Sequence, residues 1–324
     1  MRDIMIHEMR FSCLSGHNIY VPSGYDSSTM RHLLSNTDVT IKAVNNFDAE
    51  LMENKWRYFI ERPIDIKSVT WPLDMVSLNE EQIGLVFRKR AFPKMEAFKK
   101  LLYVSSLLDW KRPEIKKLIR NLLSVFIDIH NGGYAYHSFD MNRMYYNEKT
   151  SEVLVEFSLG MSRHFRNIAH LEEVDVQEIA VEFLPPWVDF DARGTLSLSD
   201  DYYSIAALLF RLMIGRMPYE GRIMDGQGFI MDERRDLDPV EHIRMFRYYH
   251  KNPVFIFDED DRTNSVGLYT NEDKFVERWE ELPQTIRNMF IETFSKKHLN
   301  ERYIDRRLYT VDEWLRALTD AEIL

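Results

Sequence analysis

Between Pro113 and Gly133 the apolar residues Ile115, Leu118, Ile119, Leu122, Val125, Phe126 and Ile129 recur at steps of three and four, which predicts one amphipathic helix. Pro113 sits near its start and Gly132-Gly133 just past its end, where each residue suits the local backbone. A second stretch, Asp201 to Gly215 ("DYYSIAALLFRLMIG"), is apolar almost all round and predicts a central, buried helix. Further helices are expected near Pro239 to Tyr249, Leu282 to Phe294 and Val311 to Leu318.

The first third reads differently. Phe11 to Val21 and Asp38 to Val44 mix β-branched and apolar residues among turn formers, which predicts strands. Phe47 to Glu61 predicts a helix with Leu51, Trp56, Phe59 and Ile60 on its apolar face, stopped by Pro63. "VTWPLDMVSL" and "QIGLVFRKR" predict paired strands joined by an acidic turn at Asn79 to Glu81. Pro72 cannot donate to a ladder and marks an edge or a bulge in the first of them. A strand-rich start holding one helix, then a helical remainder, predicts an α+β protein of two lobes, 1–92 and 93–324, with a hinge near Lys89 to Pro93.

Length and composition suit one large bilobal domain or two small ones. The chain has 324 residues, of which 45% are hydrophobic and 13% aromatic, enough for a sizeable core. Forty-two basic against 52 acidic residues give a net charge of -10, which argues against nucleic acid or an anionic membrane as the main partner. Cys13 is the one cysteine, so no intramolecular disulfide can form and a reducing, cytoplasmic setting is expected. The N-terminal residues lack the apolar core of a signal peptide, and no run reaches the roughly 20 apolar residues of a membrane span.

Candidate chemistry lies in Leu118 to Ser158: a helix, a turn, an irregular loop, a short hairpin, then "V-L-V-E-F-S". This order resembles the catalytic centre of a protein kinase, with its "HRD" loop and "DFG" triplet at this spacing. Upstream, "V-T-I-K" places Lys42 at the end of a strand, followed by a helix carrying Glu53 and Glu50. The resemblance implies that Lys42 holds phosphates and pairs with Glu53, or else Glu50. In "L-S-G-H-N-I-Y-V-P-S-G-Y" only Gly16 and the distant Gly24 stand in for a glycine-rich phosphate loop, and His17 and Asn18 add bulk where backbone must approach closely.

The residues that would do the chemistry are replaced. In "Y-H-S-F-D-M-N-R-M-Y-Y-N", counting back from Glu156 puts Ser138 at the catalytic Asp position and Arg143 at the metal-binding Asn. Anchoring on His137 instead puts Phe139 and Met144 there. Asp140 is the displaced candidate base, with Asn142 beside it, and local backbone capping is the competing reading for both. Glu156-Phe157-Ser158 replaces "DFG": Glu156 is a possible metal ligand one methylene longer than Asp, and Ser158 lacks the freedom of Gly. Weak or absent Mg²⁺ binding is expected, while Phe157 keeps a packing role.

Scaffold positions are better kept. "S-D-D-Y-Y-S" resembles the "D-x-W-S" start of the kinase C-lobe helix, implying that Asp201 accepts hydrogen bonds from the catalytic-loop backbone. "E-F-L-P-P-W" resembles the end of the activation loop, with Trp187 where a Glu normally pairs with an Arg, here Arg306 or Arg307. An aromatic–guanidinium stack is the substitute that this pairing would allow. "I-D-I-K-S-V-T-W-P-L-D-M-V" and "Y-H-K-N-P-V-F-I-F-D-E-D-D-R-T-N" resemble segments of bacterial protein-kinase-like proteins described alongside helix-hairpin-helix or tellurite-resistance-associated modules.

The resemblance implies a bilobal kinase-like fold and a bacterial signalling protein that is a pseudokinase, with ATP as the cofactor of the cleft. It implies a protein partner as well, of the phosphatase or von Willebrand-type domain kind. Two alternatives stay open. One is a divergent active Ser/Thr kinase or nucleotidyl transferase using Lys42, Glu156 and Asp140. The other is a switch that senses ATP without metal, in which Arg143 pairs with phosphate directly. The acidic run Asp258 to Asp261 lacks EF-hand spacing and reads as a solvated turn. No His or Cys set has zinc spacing.

Overall fold

The computed structural model describes residues 2–6, 9–13, 26–31, 38–44, 56–64, 67–79, 82–88, 95–103, 108–137, 139–158, 160–163, 172–174, 181–188, 194–221, 247–266, 272–299 and 308–324. Two compact units emerge: Met1–Lys94 with Leu154–Phe157, and Met95–Val153 with Ser158–Leu324.

The first unit is built on strands. β1 (Arg2–Ile6) pairs antiparallel with β2 (Met9–Cys13). β3 (Asp26–Arg31), β4 (Asp38–Val44), β6 (Pro72–Asn79) and β7 (Gln82–Arg88) form a sheet in the order β3-β4-β7-β6. The expected strand Asp38 to Val44 is β4 itself, and the expected pair downstream is β6 with β7. Pro72 begins β6, an outer strand of this sheet, and the register shifts between Pro72 and Asp74. It thus has both features expected of a strand proline.

Three described aromatic residues of this unit gather on one another. Residues 56–61 are helical and bury Trp56 and Phe59. Phe59 meets Trp71 at 5.6 Å and Phe157 at 5.3 Å, both edge-on, and Phe157 meets Trp71 at 5.5 Å. Edge-to-face rings add about 0.5–1.5 kcal/mol per pair beyond area burial. The Trp71 indole N–H donates to the Phe59 carbonyl at 2.8 Å, so its polar atom is satisfied inside the cluster. β5 (Val69–Thr70) runs parallel to the end of β11 (Val153–Glu156), with Thr70 opposite Glu156.

The second unit is mainly helical: α1 (Phe98–Tyr103), α2 (Pro113–Asn131), α3 (Leu198–Ile214), α4 (Asp273–Glu280), α5 (Gln284–Phe294), α6 (Lys296–Leu299) and α7 (Val311–Asp320). Residues 247–251 are helical too. All seven periodic apolar residues of α2 are buried, joined by Leu123. A fully buried Leu, Ile or Phe contributes about 1.5–3 kcal/mol. Pro113 occupies the first turn of α2, and the N–H of Gly132 caps it on the Asp128 carbonyl.

α3 begins with a capping box between Ser197 and Asp200 and ends on Gly215 at φ 94. Only a residue without Cβ takes that angle cheaply. Thirteen of the α3 residues are buried, as an all-round apolar helix requires. Six short strands pair within this unit. β8 (Met95–Ala97) pairs with β10 (Met144–Asn147), and β9 (Tyr134–Ala135) with β12 (Ser162–Arg163). β13 (Glu172–Val174) pairs with β14 (Gly194–Leu196).

The segment around Val254 to Asn264 packs on its own unit. Phe255 and Ile256 are buried, and Phe255 meets Phe210 of α3 at 5.5 Å. Phe257 stacks on Trp279 of α4, with centroids 4.5 Å apart and planes 1° from parallel. Several sequence expectations lie outside the described residues: the hinge Lys89 to Pro93, Leu51, most of Phe11 to Val21, and the start of the helix expected from Pro239.

Candidate functional site

The loop that follows α2 and β9 is anchored from α3. Asp201, in the first turn of α3, is 0% exposed and accepts hydrogen bonds from the backbone N–H of Tyr136 at 2.5 Å and of His137 at 2.7 Å. The Nε2 of His130, at the end of α2, lies 3.1 Å from its second oxygen. Burial alone pushes the Asp201 carboxyl up, but the charges and hydrogen bonds of His137 and His130 outweigh it and hold the group well below the usual carboxylate range. Asp201 therefore does what the resemblance to a kinase scaffold implies, as a buried acceptor for the loop backbone.

His137 is held through its backbone and its ring Nε2. Its backbone bonds Asp201, its Nε2 lies 2.6 Å from the Ser162 hydroxyl on β12, and its Nδ1 lies 3.1 Å from Asp201 Oδ1. Its φ is 58°, the left-handed region that a non-glycine residue takes only when its surroundings impose it.

Phe139 is 0% exposed. It stacks on Phe126 of α2 at 5.3 Å and meets Tyr136 edge-on at 5.6 Å, with Phe183 beyond at 6.4 Å. Met144 is buried as well. Phe139 and Met144, the pair from one register of the loop, are thus core residues. Asp140 caps the following turn. Its Oδ1 accepts from both the backbone and the side-chain N–H of Asn142 at 2.8 Å, and its Oδ2 lies 3.4 Å from Arg143 Nε. The local-capping reading of Asp140 and Asn142 matches this geometry.

The remaining candidates fall in several places. Lys42 lies in β4, opposite Leu85 of β7 and Ser27 of β3. Glu156 ends β11 and is half-buried, while the next residue, Phe157, donates its N–H to Thr70 Oγ1 at 3.0 Å. Ser158 is buried and accepts the Gly160 N–H on its hydroxyl at 3.1 Å. Ser138, Glu53, Glu50, Gly16, Gly24, Arg306 and Arg307 lie outside the described residues. Among the described residues, no group of three or more His, Cys, Asp or Glu could hold a metal ion, and no helix is long and apolar enough to cross a membrane.

Trp187 has a partner that the sequence did not suggest. Its indole N–H donates to Asp200 Oδ1 at 2.7 Å, and its ring meets Tyr203 edge-on at 5.2 Å. Burial pushes the Asp200 carboxyl up, opposed by hydrogen bonds from Ser197 and Trp187. Two further contacts hold the 181–188 segment on this unit: the Ser204 hydroxyl donates to the Phe183 carbonyl at 2.8 Å, and His250 Nε2 lies 2.9 Å from the Pro185 carbonyl. No sequence motif marks His130 or Ser162. The acidic pair in "S-D-D-Y-Y-S" was the one available signal for Asp200.

Among solved structures, the chain is similar to the autoinhibited serine kinase domain of the giant muscle protein titin, with a TM-score of 0.57 at 12% sequence identity. The match covers 98% of this chain and 79% of that one. The α+β fold is therefore protein-kinase-like. No protein-family model matches the chain, and no curated protein matches it either.

Proposed function

We propose that this protein is a pseudokinase, a kinase-like scaffold that signals through bound partners and not through phosphotransfer. The observation that carries the reading is the loop after β9. Phe139 is sealed in the aromatic core, and both oxygens of Asp140 are engaged by Asn142 and Arg143. Losing a general base costs about 10²–10⁴ in rate. Tyr136 and His137 on Asp201 favour the register in which Ser138 takes the catalytic Asp position and Arg143 the metal-binding one.

Mg²⁺ fits that register poorly. It demands a near-octahedral set of oxygen ligands, and Arg143 brings a cation instead. A metal-independent ATP-sensing switch is the second reading, favoured by the cationic Arg143 guanidinium on this loop. In either case the setting would be a bacterial cytoplasm, with a phosphatase or a von Willebrand-type domain protein as the partner.

The test is intact mass after incubation with ATP, Mg²⁺ or Mn²⁺ and generic acceptors. No mass gain is expected on protein or acceptor. Stoichiometric phosphorylation or nucleotidylation that disappears in Asp140→Ala would overturn the proposal. Calorimetry with ATP in EDTA, comparing wild type with Lys42→Met, separates the metal-independent reading from a scaffold that binds no nucleotide.

A further inference from the structure

No further inference is drawn: the strongest candidate, the buried cluster of His130, His137 and Ser162 around Asp201 in the helical unit, belongs to the loop anchor already described, because Ser162 is closed to any substrate and His137 Nδ1 makes no aligned hydrogen bond to the carboxylate.

Discussion

Asp201 accepts the backbone N–H of His137 at 2.7 Å across 64 residues of sequence, and through it the α3 helix sets the conformation of the loop after β9. Replacing Asp201 by Ala leaves the N–H groups of Tyr136 and His137 buried without their acceptor. Each such orphan costs about 1–3 kcal/mol. Asp201→Ala is expected to lose several kcal/mol in a denaturant titration, and Asp201→Asn, which keeps an acceptor oxygen, distinctly less. Equal losses would show that one remaining acceptor oxygen is not enough to hold the loop.

The same residue sets an acid limit. The carboxyl of Asp201 is depressed in the folded protein, so the folded state binds that proton more weakly than the unfolded chain does. Its stabilisation is complete above the ordinary Asp value of about 4 and is lost as pH falls below it. The stability difference between wild type and Asp201→Asn should therefore be largest at neutral pH and shrink between about pH 4 and 2. A difference that stays constant down to pH 2 would contradict the linkage.

Much of the scaffold was legible because it rests on local pattern. The spacing of Ile115 through Ile129 defines a helix by itself, and Asp38 to Val44 defines a strand. Pro72 announces its edge and bulge through a missing N–H. The loop was legible only as two registers, since "Y-H-S-F-D-M-N-R-M" carries Phe139 and Asp140 side by side with no local rule to say which is core. Tertiary packing against Phe126 decides that. The pairings of Trp187 with Asp200, and of His137 with Ser162, join separate elements and have no periodic signature. The side chains of Lys42 and Glu53 fall outside the described residues.

Phe139 tests the packing of the loop directly. Removing a fully buried Phe costs about 3–5 kcal/mol, and a carboxylate in its place adds desolvation. Phe139→Asp is expected to abolish cooperative unfolding or lower the melting temperature by more than 10 °C, on the order of 2–4 °C per kcal/mol for a chain of this size. Installing a base in the favoured register instead calls for Ser138→Asp with Arg143→Asn. Under the pseudokinase reading, that pair is the substitution expected to bring any phosphotransfer above background.

Trp187→Phe removes the indole donor from Asp200 while keeping the ring against Tyr203. The cost at neutral pH should be about 1.5–3 kcal/mol, the range for a hydrogen bond to a charged group. Asp200 is raised in the folded state, so folding favours its protonated form and this group's contribution is greatest at low pH. Losing the indole, which favours the ionised form, raises it further. The gap between Trp187→Phe and wild type should narrow as the pH falls and Asp200 protonates. A gap that widens on acidification would show that the indole bond does not stabilise the carboxylate.

The turn at Asp258 to Asp261 can be tested as a contact for the proposed partner, and its geometry dictates which residues can probe it. Asp258 is buried and accepts the backbone N–H of Asp260 at 3.0 Å and of Lys296 at 3.3 Å. Asp261 is held by Lys296 Nζ at 3.1 Å. Charge reversal at Asp258 would therefore break the turn, and a lost interaction would report unfolding. Tyr249 and Phe255 are buried and unavailable as interface anchors. Glu259 and Asp260 are exposed. If this acidic turn contacts a protein partner, Glu259→Lys with Asp260→Lys should weaken co-purification at least tenfold with a melting temperature within about 2 °C of wild type, as for surface substitutions. Undiminished partner recovery with that double variant would rule the turn out as the proposed contact.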